Sequence, residues 1–256
     1  MFTDTHSHIH FVNEFPDIDE IISRALVAGV SRQIIVGCTP SDSFMALEFI
    51  KKHADKNFWS TLGVHPHNAD ECTEDVLIQF EEAVKINSKI VALGEIGLDY
   101  FRNLQPKELQ QFAFKKQLQL AKKLDLPVVV HIRDAWEDAF EIMNETGNEK
   151  VILHCFTGQL QQAEVAWKRG YYLSFSGILT YPKNEYLREI AARSPKENVL
   201  IETDCPYLPP QPFRGKRNEP SFVVETAKTL AKVWGLTVEE TGLITTENAI
   251  RLFRVS

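Results

Sequence analysis

Six side chains carry the ingredients of a metal-assisted hydrolysis: His6, His8, Glu95, His131, His154 and Asp204. His6 and His8 stand two positions apart in Phe2-Thr3-Asp4-Thr5-His6-Ser7-His8-Ile9, which alternates as a strand does. Both imidazoles are therefore expected on one face, together with Phe2 and Asp4, and such a pair can close on one ion. Glu95, His131, His154 and Asp204 each follow an apolar run (Ile90 to Leu93, Val128 to Val130, Val151 to Leu153, Val199 to Ile201) that would fix them at the ends of buried strands. Four imidazoles and two carboxylates exceed what one tetrahedral ion with an open position takes up. They suit two divalent ions joined by a carboxylate, and Glu95 is the expected bridge. Such ions polarise a phosphoryl or carbonyl group and activate a water; Asp204 is expected to bind one ion and take a proton from that water. The donor mixture leaves magnesium, manganese, zinc and iron all open.

Other groups would line the same opening. His65, in Gly63-Val64-His65-Pro66-His67, is placed to hydrogen-bond a substrate oxygen. Arg133 follows His131, and Arg214 opens Arg214-Gly215-Lys216-Arg217 beyond Asp204; guanidinium forks fit phosphate oxygens. Tyr100, Phe101 and Tyr207 offer ring faces for bases.

These residues need a scaffold that brings strand ends together. Apolar runs at 2–9, 31–38, 58–65, 90–96, 128–132, 151–155, 171–176 and 199–204 read as buried strands. Between them lie helical stripes, such as Ile18, Ile21, Ile22, Ala25 and Leu26 before Gly29, or Leu109, Phe112, Ala113, Leu120, Ala121 and Leu124 before Pro127. Thr73 and Asp134 are expected helix caps, Pro106 a first helical residue, and short helices are expected from Val238 to Phe253. Eight strand-plus-helix units of roughly 30 residues each make a (β/α)8 TIM barrel, which gathers working groups at the C-terminal rim of its strands. Residues 1–256 are expected to form this one domain.

Composition is that of a globular protein, with 44% hydrophobic and 25% charged residues. No apolar run reaches the ~18 residues of a membrane span and no signal-peptide pattern is present, so a cytoplasmic location without a membrane is expected. Cys38, Cys72, Cys155 and Cys205 lack paired spacing and are expected to be reduced structural thiols. A net charge of −7 disfavours a broad footprint on duplex DNA, although bound metal ions could supply a narrow positive cleft. No obligate protein partner is indicated.

With these residues in place, the chain resembles the TatD family of metal-dependent hydrolases, within the wider amidohydrolase-like barrels. Asp4-Thr5-His6-Ser7-His8, Gly63-Val64-His65-Pro66-His67 and Gly94-Glu95-Ile96-Gly97-Leu98-Asp99-Tyr100 are similar to its D-T-H-x-H, G-x-H-P-H and G-E-I-G-L-D-Y motifs. Pro127 to Arg133, His154-Cys155-Phe156-Thr157-Gly158 and Glu202 to Leu208 resemble its later ones, with coverage to about Phe253. The resemblance implies His6, His8, Glu95 and Asp204 around one ion and Glu95, His131 and His154 around a second. It also implies a deoxyribonuclease, often a 3′ to 5′ exonuclease on single strands, using magnesium or another divalent ion. His10 and Thr180-Tyr181-Pro182-Lys183 depart from the usual pattern.

Two further functions share the same ligands. One is hydrolysis of an ester or amide, including removal of a misacylated amino acid, such as a D-amino acid, from tRNA. The other is a metal-binding module without turnover.

Overall fold

The computed structural model describes residues 1–255 and contains one parallel sheet of eight strands, each paired with the next in sequence. The strands are β1 (Phe2–Ser7), β2 (Val30–Val36), β3 (Phe58–Leu62), β4 (Ile90–Asp99), β5 (Val128–Arg133), β6 (Val151–Leu153), β7 (Tyr172–Phe175) and β8 (Val199–Ile201). The edges of β1 and β8 meet just beyond Ile201. There Asp204 N donates to His6 O and His8 N donates to Cys205 O, both at 2.9 Å, with a parallel bridge between Ser7 and Cys205. The result is a (β/α)8 TIM barrel.

Helices α1 (Ile18–Val27), α2 (Pro40–Lys52), α3 (Glu74–Ile86), α4 (Lys107–Lys123), α5 (Trp136–Thr146), α6 (Leu160–Lys168), α7 (Glu185–Arg193) and α8 (Val223–Trp234) follow the strands in turn, and α9 (Val238–Phe253) ends the series. Thr73 caps α3 by accepting from Val76 N at 3.3 Å. Alternation on the strands sorts their apolar side chains. Val128, Val130, Val151, Leu153, Val199 and Ile201 join the large core under the helices. Val129, Ile152 and Leu200 form a second cluster with Ile34, Trp59 and the α9 residues Ala249, Leu252 and Phe253. Two residues further along each strand, on the same face as Val129, Ile152 and Leu200, stand His131, His154 and Glu202. An apolar plug thus lies below the polar rim and fixes it.

Several local expectations are corrected. Phe2 does not share the face of His6 and His8: the β1–β2 register shifts between Phe2 and Thr3, and the Phe2 ring lies against Gly29 and the Gly242 backbone of α9. The strand ends fall earlier than expected at β1, β6 and β8, so His8, His154 and Asp204 lie just past them, while β4 runs on to Asp99. Asp134 does not cap α5; it has φ of 54°, and Ala135 occupies the cap position. Pro106 precedes α4 as its cap residue instead of opening it. The segment from Val238 to Phe253 is one continuous helix, begun by a reciprocal capping box between Thr237 and Glu240.

Candidate metal centre

Glu95 is turned into the rim by an irregularity of β4. Leu93 pairs with Val128 and Ile96 with Val130, so β4 carries one residue more than β5 across this step. Leu93 belongs to the outer core. Regular alternation would send Glu95 the same way; the extra residue re-aims it, which is what a bulge does beside a site. Gly97, at φ of 143°, lets β4 pass against the His131 carbonyl where a Cβ would overlap it. The Glu95 backbone is tied at the same level by its N–H donating to Gly37 O at 2.9 Å.

Each oxygen of Glu95 meets a different set of donors. Oε1 lies 3.0 Å from His131 Nδ1, 3.1 Å from His154 Nε2 and 3.4 Å from His65 Nε2. Oε2 lies 3.4 Å from His6 Nε2 and 3.5 Å from Cys38 Sγ. His6 Nε2 and His8 Nε2 are 3.2 Å apart, and Asp204 Oδ1 is 3.7 and 3.6 Å from them. The structure therefore brings together His6, His8, Glu95, His131, His154 and Asp204, with His65 beside them. His6, His8 and Glu95 are buried, whereas the Asp204 and His131 side chains are 14% and 20% exposed and mark the opening.

The donor set fits divalent cations, and hydrogen bonds behind the ring give the reason. His8 Nδ1 donates to Val36 O at 2.9 Å and His154 Nδ1 donates to Glu202 Oε1 at 2.9 Å. A carbonyl or carboxylate only accepts, so these bonds put the neutral imidazole proton on Nδ1 and leave a lone pair on Nε2 facing the centre. Bare lone pairs and carboxylate oxygens at 3.1 and 3.6 Å repel one another unless a positive charge lies among them. On its own the cluster answers by proton placement. Burial opposes charge on His154, but Glu202 and Glu95 outweigh it and hold the imidazole well above its usual value. Burial likewise opposes charge on Glu95, yet the histidines around it hold its carboxyl well below the carboxylate range. His65, with burial dominant over its Glu95 contact, is pushed down to about 4 and stays neutral.

Arg133 and Arg214 do not enter the cluster. The Arg133 guanidinium lies 3.8 Å over the Phe101 ring and that of Arg214 4.4 Å over Tyr181; among the described residues neither makes an ion pair. Arg217 is different, being held by Asp17 at 2.7 Å and by Glu14 O. Phe101 and Tyr207 are exposed, and Tyr207 is 6.3 Å from the His8 ring, edge on.

Sequence reasoning gave Cys38 only a structural role and gave none to Asp99, Glu202 or the pair His10 and Asp42. Asp99 Oδ2 accepts from His67 Nε2 at 2.8 Å and lies 3.4 Å from His131 Nε2. His10 Nε2 and Asp42 Oδ1 are 2.7 Å apart, and Asp42 Oδ2 accepts from Cys38 N at 2.8 Å. A usable signal existed for Glu202, which follows Leu200 by two positions as His131 and His154 follow Val129 and Ile152, and for Cys38, which follows β2 as the other rim residues follow their strands.

A parallel barrel with imidazoles and carboxylates gathered at the C-terminal mouth is the architecture of a metal-dependent hydrolase. The comparisons narrow the class: the family described as TatD related DNase matches residues 3–254, and the chain belongs to it. It is 41% identical over 258 residues to an uncharacterized metal-dependent hydrolase, YabD, of Bacillus subtilis, covering 100% of both chains. It is 36% identical over 246 residues to the 3′-5′ ssDNA/RNA exonuclease TatD of Erwinia tasmaniensis, covering 93% of this chain and 94% of that one. The crystal structure of the TatD homolog YJJV from Escherichia coli K12 superimposes with a TM-score of 0.92 at 31% identity, covering 100% of this chain and 98% of that one. This protein is a metal-dependent hydrolase of the TatD DNase family. No helix among its described residues is long and apolar enough to cross a membrane.

Proposed function

We propose that this chain, acting as one domain over residues 1–256, is a two-metal exodeoxyribonuclease that shortens single-stranded DNA from the 3′ end. The observation that carries the two-ion part is the division of Glu95, one oxygen toward His6 and the other toward His131 and His154. His6, His8, Glu95 and Asp204 would hold one ion, and Glu95, His131 and His154 the other. When bound, divalent ions at these residues lower the pKa of a water and polarise the phosphoryl oxygen.

The protein's own groups do the rest. Asp204, slightly exposed at the mouth, takes the proton of the attacking water through a carboxylate oxygen. His65, neutral because burial holds it so, presents Nε2 to a phosphate oxygen. Arg133 and Arg214, without a carboxylate partner among the described residues, neutralise flanking phosphates. A nucleic-acid substrate is supported by these uncommitted cations and by relatives named as exonucleases. The four thiols are free, as in a reducing cytoplasm, where we place the protein.

The test follows single-stranded DNA oligomers labelled at the 3′ or 5′ end, with magnesium, manganese or chelator, beside Glu95→Ala. Stepwise loss from the 3′ end that needs metal and vanishes in Glu95→Ala is expected. DNA left intact under every metal would move the substrate to esters or amides, aminoacyl-tRNA included, and an aminoacyl ester left intact as well would leave only a metal-binding module.

A further inference from the structure

Cys38 occupies a position that a structural thiol does not need. Its Sγ lies 3.5 Å from Glu95 Oε2, and Cys38 Sγ, a His8 ring nitrogen and a Glu95 oxygen all lie within 4.8 Å of one another. The backbone around it is pinned by the metal-site residues themselves. His8 Nδ1 holds Val36 O, Glu95 N holds Gly37 O, His65 N holds Cys38 O at 2.8 Å, and Asp42 holds Cys38 N. Gly37 has no room for a side chain, because a Cβ there would overlap Ser43. Cys38 is therefore fixed relative to both His8 and Glu95, on the Oε2 side of the carboxylate.

The spacing is that of two ligands on one ion. Bonds of about 2.3 Å to sulfur and about 2.0 Å to oxygen, at the angles of about 90–120° between neighbouring ligands of a five-coordinate ion, put the two ligand atoms about 3.0–3.7 Å apart, a range that contains the observed 3.5 Å. A hydrogen-bonded thiol at the same distance is the competing account, and it makes a different spectroscopic prediction.

We propose that Cys38, as a thiolate, is a further ligand of the ion on the His6 and His8 side, making that position selective for zinc or another thiophilic divalent ion over magnesium. The proposal rests on the two-ion reading above. Binding exchanges the S–H bond for a sulfur–metal bond, and the thiol proton leaves to solvent. Sulfur, two imidazoles and carboxylate are a softer set than imidazole and carboxylate alone, which is what shifts preference away from magnesium.

Cobalt(II) distinguishes the accounts, because thiolate ligation adds a sulfur-to-cobalt charge-transfer band in the near ultraviolet, while nitrogen and oxygen ligation shows only in the weaker visible bands. Chelator-treated protein titrated with cobalt is expected to show both. Cys38→Ser should lose the charge-transfer band and keep the visible ones, Cys155→Ser should keep both, and magnesium should displace cobalt more readily from Cys38→Ser than from the parent protein. Visible bands without charge transfer in the parent protein would overturn the thiolate and leave the metal centre standing; this reading does not depend on any variant folding. A charge-transfer band that survives in Cys38→Ser would overturn it too. Absence of any cobalt spectrum would overturn both the ligand and the metal centre.

Discussion

Glu202 accepts from Nδ1 of His154 at 2.9 Å, and the opposite nitrogen of that ring faces Glu95 Oε1 at 3.1 Å. Glu202 is fully buried and also accepts from Cys155 N at 2.7 Å and from the Ser174 hydroxyl. It orients His154 and fixes which nitrogen carries the proton, so its effect on chemistry runs through His154.

Glu202→Gln keeps an accepting oxygen but removes the charge behind His154. The expected consequence is weaker metal binding on the Glu95, His131 and His154 side, by roughly 10- to 100-fold, the range seen when outer partners of ligating histidines are replaced. Calorimetric titration with zinc or manganese measures it, with circular dichroism to show that the barrel is retained. Unchanged affinity would mean that His154 is not a ligand.

Arg133 is expected to act on binding and not on the bond-breaking step. Its guanidinium rests on Phe101 outside the cluster, so Arg133→Ala should raise KM on a DNA oligomer by about tenfold while kcat stays within about twofold. The loss of one phosphate contact should also flatten the salt dependence of binding by a slope of about 0.7 on single strands. A fall in kcat with KM unchanged would place Arg133 in the chemistry instead.

Tyr100 gives a pH signature away from the metal-site residues. Its hydroxyl donates to Asp138 at 2.7 Å, and Gln111 bonds both groups at 2.8 Å. Burial and the Asp138 carboxylate push the phenol up from 10.0 to about 12. Between these values the unfolded chain has lost this proton and the folded one keeps it. The contribution of Tyr100 to stability is therefore whole below pH 10 and falls as pH rises toward about 12. Tyrosinate absorbance should show a late-titrating group that Tyr100→Phe removes; an unchanged titration curve would contradict the assignment.

Much of this arrangement was legible in the chain, for physical reasons that differ from residue to residue. His131 and His154 were readable because an apolar run with period two fixes both the strand and the face, and Val129 and Ile152 do lie on the face that continues into them. Glu95 was readable as a strand-four acid, but its direction depends on an extra residue between Leu93 and Ile96, and nothing in Leu-Gly-Glu-Ile announces a bulge beyond the glycine. Phe2 was misplaced for the same reason, a register shift invisible to alternation. Short helices are expected from Val238 to Phe253, and Thr241, Gly242, Thr245 and Thr246 are residues of low helix propensity, yet α9 is continuous. Packing overrides that weakness, with Phe2 pressed against Gly242 and Asn248 holding the carbonyls of Lys196 and Val199. For Cys38 and Glu202 the position just after a strand marks a rim residue, but their partners, Glu95 and His154, lie across strands, which composition and spacing do not encode.

Whether Glu95 joins two ions can be read from a manganese-soaked crystal recorded for anomalous scattering. Two anomalous peaks are expected, one on each side of the Glu95 carboxylate, the first beside His6, His8 and Asp204 and the second beside His131 and His154. A single peak, or none, with the barrel intact would contradict it.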